Sequence, residues 1–148
     1  MKLLETTVIN DKEVEVYSGV VSFSPAFTSL LRAYADLVDS KLAPLHFDFN
    51  NEDFMLWVQY TDGTILGGMC FGVDDDWNAI SLKMGWTEKD YRNMGINTLC
   101  HKWLAEEAKD RNLGRIISMV HVKNEARLRS AAKVGLYPLF YLMHKKVV

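Results

Sequence analysis

AISLKMGW (79–86), TEKDYRNMGIN (87–97) and TLCHKWLAEEAKDRNL (98–113) follow one another without a break, and this stretch organises the chain. The first piece is apolar and suits a strand, and the last is amphipathic and suits a helix. Between them Arg92-Asn93-Met94-Gly95-Ile96-Asn97 forms a tight turn that delivers the chain into the helix. The first N–H groups of a helix have no intrahelical acceptor, and the macrodipole makes that end partly positive. With Gly95 leaving the approach clear and Arg92 adding a full charge, the turn reads as an anion site; the plainer reading is a surface arginine and a turn glycine.

Arg92-x-x-Gly95-Ile96-x resembles the acyl-CoA signature of the GNAT N-acetyltransferases, R/Q-x-x-G-x-G/A, with Asn97 where that family has Gly or Ala. The surrounding YRNMGINTLCHKWLAEEAKDRNLGRI is similar to the family's strand–turn–helix–strand unit. A second match runs from Asn124-x-x-Arg127-Leu128 to Lys133-Val134-Gly135-Leu136, similar to the family's N-x-x-A…Y-x-K-x-G-F segment. The two fall in family order and span the C-terminal half of the chain.

Composition agrees with a globular protein. The 148 residues are 49% hydrophobic and 24% charged, with a net charge of -2, enough for one domain over 1–148 with a sizeable core. That balance gives no reason to expect nucleic-acid or membrane partners, and no apolar run approaches the roughly 20 residues of a membrane span. The N-terminus turns polar too early for a signal peptide. Cys70 and Cys100 sit in apolar contexts, so reduced thiols in a cytoplasmic protein are expected. His46, His101, His121 and His144 form no metal-spaced cluster, and no motif surrounds a serine or cysteine nucleophile.

Ahead of the organising stretch, Thr6–Ile9 and Val14–Tyr17 read as strands around the turn Asn10-Asp11-Lys12, and Gly19–Phe23 extends the second. Ser24-Pro25 predicts a helix start, with Ser24 as N-cap, and Leu30, Leu31, Tyr34, Leu37 and Val38 form its apolar stripe to about Asp39-Ser40. The segment from Lys41 to Asn51 is open between a short strand and a loop. Phe54–Tyr60 and Ile65–Gly72 form a hairpin about Thr61-Asp62-Gly63-Thr64, and the return strand's glycines imply a bulge or a close backbone approach. After the central helix, stopped by Gly114, a strand is predicted over Arg115–Val122, a helix capped by Asn124 over Glu125–Val134, and one or two closing strands over Leu136–Val147. The element order is satisfied by an α/β (α+β) domain, a mixed, mostly antiparallel central sheet of about six to seven strands with helices on both faces, and the resemblance implies that this is the GNAT-like acyl-CoA N-acyltransferase fold.

The resemblance also implies roles. The turn amides of Asn93, Met94, Gly95, Ile96 and Asn97 would take the pyrophosphate of acetyl-CoA, the co-substrate. Met84, Gly85 and Trp86 occupy the bulged strand edge that polarises the thioester carbonyl. Asn124 would contact the CoA arm besides capping its helix, and Lys133 would approach the CoA phosphates unless it is simply solvated. No metal is implied. Ala131 stands where the family places a tyrosine acid, so the leaving thiolate has no donor there. Proton acceptors for the amine are Asp76, with its neighbours Asp74 and Asp75, Glu88 and His121, against plainer readings as a solvated loop and a satisfied histidine. Arg127, Arg129 and Lys133 make a basic cluster that is a CoA phosphate patch, a partner surface or an exposed helix face.

Two functions remain open: an N-acetyltransferase acting by direct attack of a primary amine, of a small molecule or a protein, and a non-catalytic CoA-binding or protein-interaction module of the same fold. Asn97 and Ala131 favour the second, and the intact Arg92-x-x-Gly95 and Asn124 segments favour the first. The oligomeric state is open between a monomer and a homodimer.

Overall fold

The first hairpin lies in the main sheet. In a computed structural model, which describes residues 1–43, 49–139, 141, 143 and 145–147, strand β1 (Lys2–Ile9) turns through Asn10 and Asp11 into β2 (Lys12–Val20). Both turn residues have positive φ, 49° and 64°, the left-handed pair that matches the twist of a two-residue hairpin. The sheet then runs β3 (Phe54–Tyr60), β4 (Ile65–Asp74), β5 (Ala79–Thr87) and β6 (Arg115–Ser118), six strands in chain order. Every pair is antiparallel except β5 with β6, which are parallel because a helix crosses between them.

That crossover helix, α2 (Ile96–Asp110), covers one face, and α1 (Phe27–Asp39) covers the other. Val14, Leu56, Leu66, Phe71, Ile80, Leu82, Ile96 and Leu104 form the core under α2, while Leu30, Met55, Trp57, Cys70, Met84 and Trp86 form the core under α1. Each fully buried Leu, Ile or Phe contributes roughly 1.5–3 kcal/mol, so the sheet is held from both sides. Glu5 joins the first hairpin to α2, accepting from Trp103 Nε1 at 2.6 Å and pairing with Lys102 at 3.1 Å.

The return strand of the second hairpin shows both features expected of its glycines. Leu66 is an extra residue in β4, between the pairs Val58–Gly67 and Gln59–Ile65. A Cβ on Gly68 would lie 2.4 Å from the Leu56 carbonyl oxygen, so only glycine lets β3 and β4 approach there.

Some boundaries differ from the sequence expectation. Ser24 caps a turn and not the helix: its Oγ accepts from the Ala26 N–H at 3.1 Å, and α1 starts at Phe27 after Ala26. Asn112, at φ 56°, takes the left-handed position that ends α2, ahead of Gly114. β6 stops at Ser118, so Met119–Val122 is a loop and turn. The described residues from Leu136 onward lie outside any strand, with Tyr137, Leu139, Tyr141 and Met143 exposed; Pro138 has no N–H to give to a ladder. Residues 44–48, within the Lys41–Asn51 segment that the sequence leaves open between strand and loop, lie outside the described residues.

Candidate active site

β5 is nine residues long, but its parallel ladder with β6 has only four pairs, from Ala79–Arg115 to Leu82–Ser118. Beyond Leu82 the two strands part. Among the described residues no strand pairs with the outer edge of β5 from Lys83 to Thr87, which leaves an opening beside it.

A bulge sits where they part. Cys70 pairs with Met84 and Phe71 with Leu82, so Lys83 is the extra residue. A bulge bends the strand and tightens its twist. It also breaks the alternation: Ile80 and Leu82 point into the core under α2, whereas Met84 and Trp86 point into the core under α1. The bulge thus falls one residue before the expected Met84-Gly85-Trp86. Gly85 is not forced by a close neighbour, since a Cβ there would meet Met69 at an ordinary 3.5 Å. Trp86 packs its buried ring over Gly68, and its Nε1 has no partner among the described residues.

The turn into α2 is anchored from inside. Ile96 is buried and Met94 packs against the same core, while Arg92, Asn93 and Gly95 face outward. Asn93 and Gly95 have φ of 63° and 85°, and Gly95 is the N-cap of α2, with no side chain capping the helix. The space around Gly95 is open: a Cβ there would meet nothing within 4 Å. Arg92 Nε donates to the Thr87 carbonyl at 3.3 Å, tying the turn to the end of β5. Asn97 lies half-buried on the first turn of the helix. An uncapped helix start beside an open strand edge fits a ligand with an anionic head and a thin tail.

After β6, Asn124 caps α3 (Glu125–Lys133), its Oδ1 accepting from the Arg127 N–H at 3.2 Å. The side-chain amide N–H groups of Asn124 keep their donor capacity for another acceptor. Ala131 is buried, and Lys133 is exposed on the last turn. The basic cluster divides: Arg129 is exposed beside Glu125, while Arg127 turns inward, donates to Ser130 Oγ at 3.3 Å, and leaves a buried Nη2 without a partner among the described residues. Beside it on α2 lies His101, only 6% exposed, with Nε2 likewise unpartnered. Burial, with the Arg127 charge adding to it, pushes the His101 imidazole down to about 4.

The three proton-acceptor candidates stand apart. Asp76 is exposed in the turn before β5, at the closed end of the opening. Glu88 directly follows β5 and lies 4.0 Å from Arg32, where the two residues help to line a cavity of about 460 Å³ with Ser29 and Asp90. His121 lies in the loop beyond β6, half-exposed, and its Nδ1 accepts from the Lys123 N–H at 3.1 Å. Missing from the sequence reading altogether were Lys83 and Asp53, which form a 2.7 Å ion pair at the bulge. The only hint was a lysine inside an apolar strand.

Comparison with known proteins agrees with this geometry. Structures sharing the fold include an aminoglycoside acetyltransferase from an uncultured soil metagenomic sample, 9% identical, with a TM-score of 0.69 over 91% of this chain and 95% of that one. The ribosomal-protein-alanine N-acetyltransferase of Brucella melitensis biovar Abortus 2308 is 16% identical, with a TM-score of 0.66 over 90% and 99%. An aminoglycoside N-acetyltransferase in complex with CoA is 11% identical, with a TM-score of 0.67 over 90% and 98%. The family description "Acetyltransferase (GNAT) family" matches residues 23–136, which is most of the chain. With that match, an opening between β5 and β6 and an uncapped α2, this chain belongs to the GNAT acetyltransferase family.

Proposed function

We propose that the protein transfers an acetyl group from acetyl-CoA to a primary amine of a small molecule or protein by direct attack. The observation that carries this reading is the end of the parallel ladder at Leu82–Ser118, next to a helix start that no side chain caps. Acetyl-CoA, when bound, supplies the activated acyl group. The α2 amides from Gly95 to Asn97, with Arg92 beside them, hold its pyrophosphate through fixed dipoles and charge. Asn124 donates its side-chain amide to the pantetheine arm, and Lys133, exposed on the last turn of α3, approaches the CoA phosphates. The Glu88 N–H donates to the Leu66 carbonyl of β4 and N–H groups alternate along a strand, so Met84 and Trp86 point their N–H groups to β4 and Gly85 between them turns its N–H to the opposite edge, where it would stabilise charge that develops on the thioester oxygen.

An amine acceptor is charged at neutral pH and must lose a proton before attack. Glu88, which directly follows β5, and His121, in the loop beyond β6, are the acceptors proposed for that proton ahead of Asp76, which lies in the turn before β5 next to the paired end of the β5–β6 ladder. The related structures are named for aminoglycosides and for ribosomal-protein alanine, and amines of these kinds are the first substrates to try.

One observation favours the non-catalytic alternative. Ala131 is buried and has no proton to give, so the thiolate must take its proton from solvent or from elsewhere. Two measurements separate the readings. Acetyl-CoA should raise the thermal midpoint, because a ligand that prefers the native state stabilises it. Thiol release should then appear with an aminoglycoside, a polyamine or a peptide with N-terminal alanine. No midpoint shift at millimolar acetyl-CoA overturns both CoA-dependent readings and leaves a protein-interaction module; a shift without thiol release from any amine leaves the CoA-binding module.

A further inference from the structure

We infer that Lys83 and Asp53 are a positioning pair for acyl transfer: their ion pair holds the bulge in β5 that turns the Met84–Trp86 edge toward the opening. This rests on the acetyl-transfer reading above.

Asp53 immediately precedes β3, two strands away from Lys83 in the sheet. To reach it, the carboxylate must cross β4. The residue of β4 on that line is Gly72, which pairs with Ser81, and a Cβ on Gly72 would lie 2.9 Å from Asp53 Oδ1. The absent side chain at 72 is what lets the carboxylate pass over the strand. Asp53 is itself fixed from several directions. Its Oδ2 accepts from the Asn50 N–H at 2.8 Å and from Lys83 Nζ at 2.7 Å. Its carbonyl accepts from the Val21 N–H at 2.8 Å, and its own N–H donates to the Asn50 carbonyl at 2.9 Å. With only 6% of its surface exposed, it is a rigid post and not a surface charge.

Lys83 is the one extra residue of β5, and the next residue back, Leu82, makes the last pair with β6. A bulge with nothing holding its side chain can relax or shift by one residue, and a one-residue slip would turn Met84 and Trp86 to the wrong face. The ammonium–carboxylate pair pins the bulge at 83. Through it the pair sets which N–H groups look into the opening. Lys83 acts through the backbone, so it is a positioning residue, and its loss should lower turnover more than acetyl-CoA binding, whose anionic end is held at α2.

The test uses Lys83→Met, which keeps most of the side-chain volume, in the full chain, with backbone amide spectra recorded with and without acetyl-CoA. The expected result is altered shifts for Met84–Trp86, turnover with the best amine of the panel lowered roughly 10- to 100-fold, as misplacement by about 1 Å can do, and an acetyl-CoA Kd within about threefold of the wild type. Unaltered shifts at 84–86, or unaltered turnover, would overturn the inference. So would an acetyl-CoA Kd weakened as much as turnover. If Lys83→Met does not fold, Gly72→Ala keeps both charges and drives a methyl between them, 2.9 Å from Asp53 Oδ1 and 3.4 Å from Lys83 Cε before relaxation, and the same pattern is expected and the same results overturn it. A wild type that neither binds acetyl-CoA nor turns over would instead overturn the acetyl-transfer reading, while the amide shifts would still report on the clamp.

Discussion

Replacing Gly95 separates backbone strain from charge at the helix start. Gly95 has φ 85°, so any L-residue there is strained by about 1–2 kcal/mol, yet a Cβ meets nothing within 4 Å. Gly95→Ala and Gly95→Glu should therefore lose the same stability, a fall of a few degrees in thermal midpoint for a chain of this size. Their effect on acetyl-CoA should differ. Two like charges about 4 Å apart repel by about 1 kcal/mol in water and about 4 kcal/mol at the effective dielectric of a protein surface. Gly95 is exposed, so an intermediate value of about 2–3 kcal/mol applies, which weakens binding roughly 30- to 150-fold in Gly95→Glu. Gly95→Ala should weaken it less than about fivefold. Titration calorimetry at two salt concentrations measures both, and the gap between the variants should narrow as salt rises. Equal affinities for Ala and Glu at low salt would show that no anion sits at the start of α2.

Two further outcomes follow from buried groups. Above pH 6.5 His101 is neutral in both the folded and the unfolded chain; as the pH falls from 6.5 towards 4 the unfolded chain takes up a proton that the native state refuses, so stability declines across that window by about 3 kcal/mol. His101→Leu should flatten this decline in urea unfolding measured at several pH values, and an unchanged slope would contradict the assignment. Burial pushes both cysteine thiols up to about 12, with the Asp53 charge adding to the effect at Cys70. Neither should react with a disulfide reagent at pH 8 in the native state, and both should after unfolding; fast labelling of the native protein would refute the packing described.

Local rules carried much of the fold. Asn10-Asp11 and Asp62-Gly63 mark hairpins because few residues accept positive φ, and the structure has both turns where those residues stand. The Arg92-x-x-Gly95 turn is equally local: a glycine at a helix start leaves its amides approachable wherever the helix is placed. Asn124 caps α3 for the same kind of reason, since its acceptor reaches an N–H three residues on.

What the chain alone left undecided depends on neighbours distant in sequence. The alternation Ile80-Leu82-Met84-Trp86 predicts one buried face, and only pairing with β4 inserts Lys83 as a bulge and splits those side chains between two cores. How far β6 accompanies β5 is likewise a tertiary matter: Met119–Val122 has strand-like composition, but the pairing ends at Leu82–Ser118 although β5 runs on to Thr87. Asp53 looks like a turn residue until the sheet brings it over Gly72 to Lys83, thirty positions later. Backbone preferences act within a few residues, so they are written in the chain; an opening between strands is a relation between separate elements, and only packing creates it.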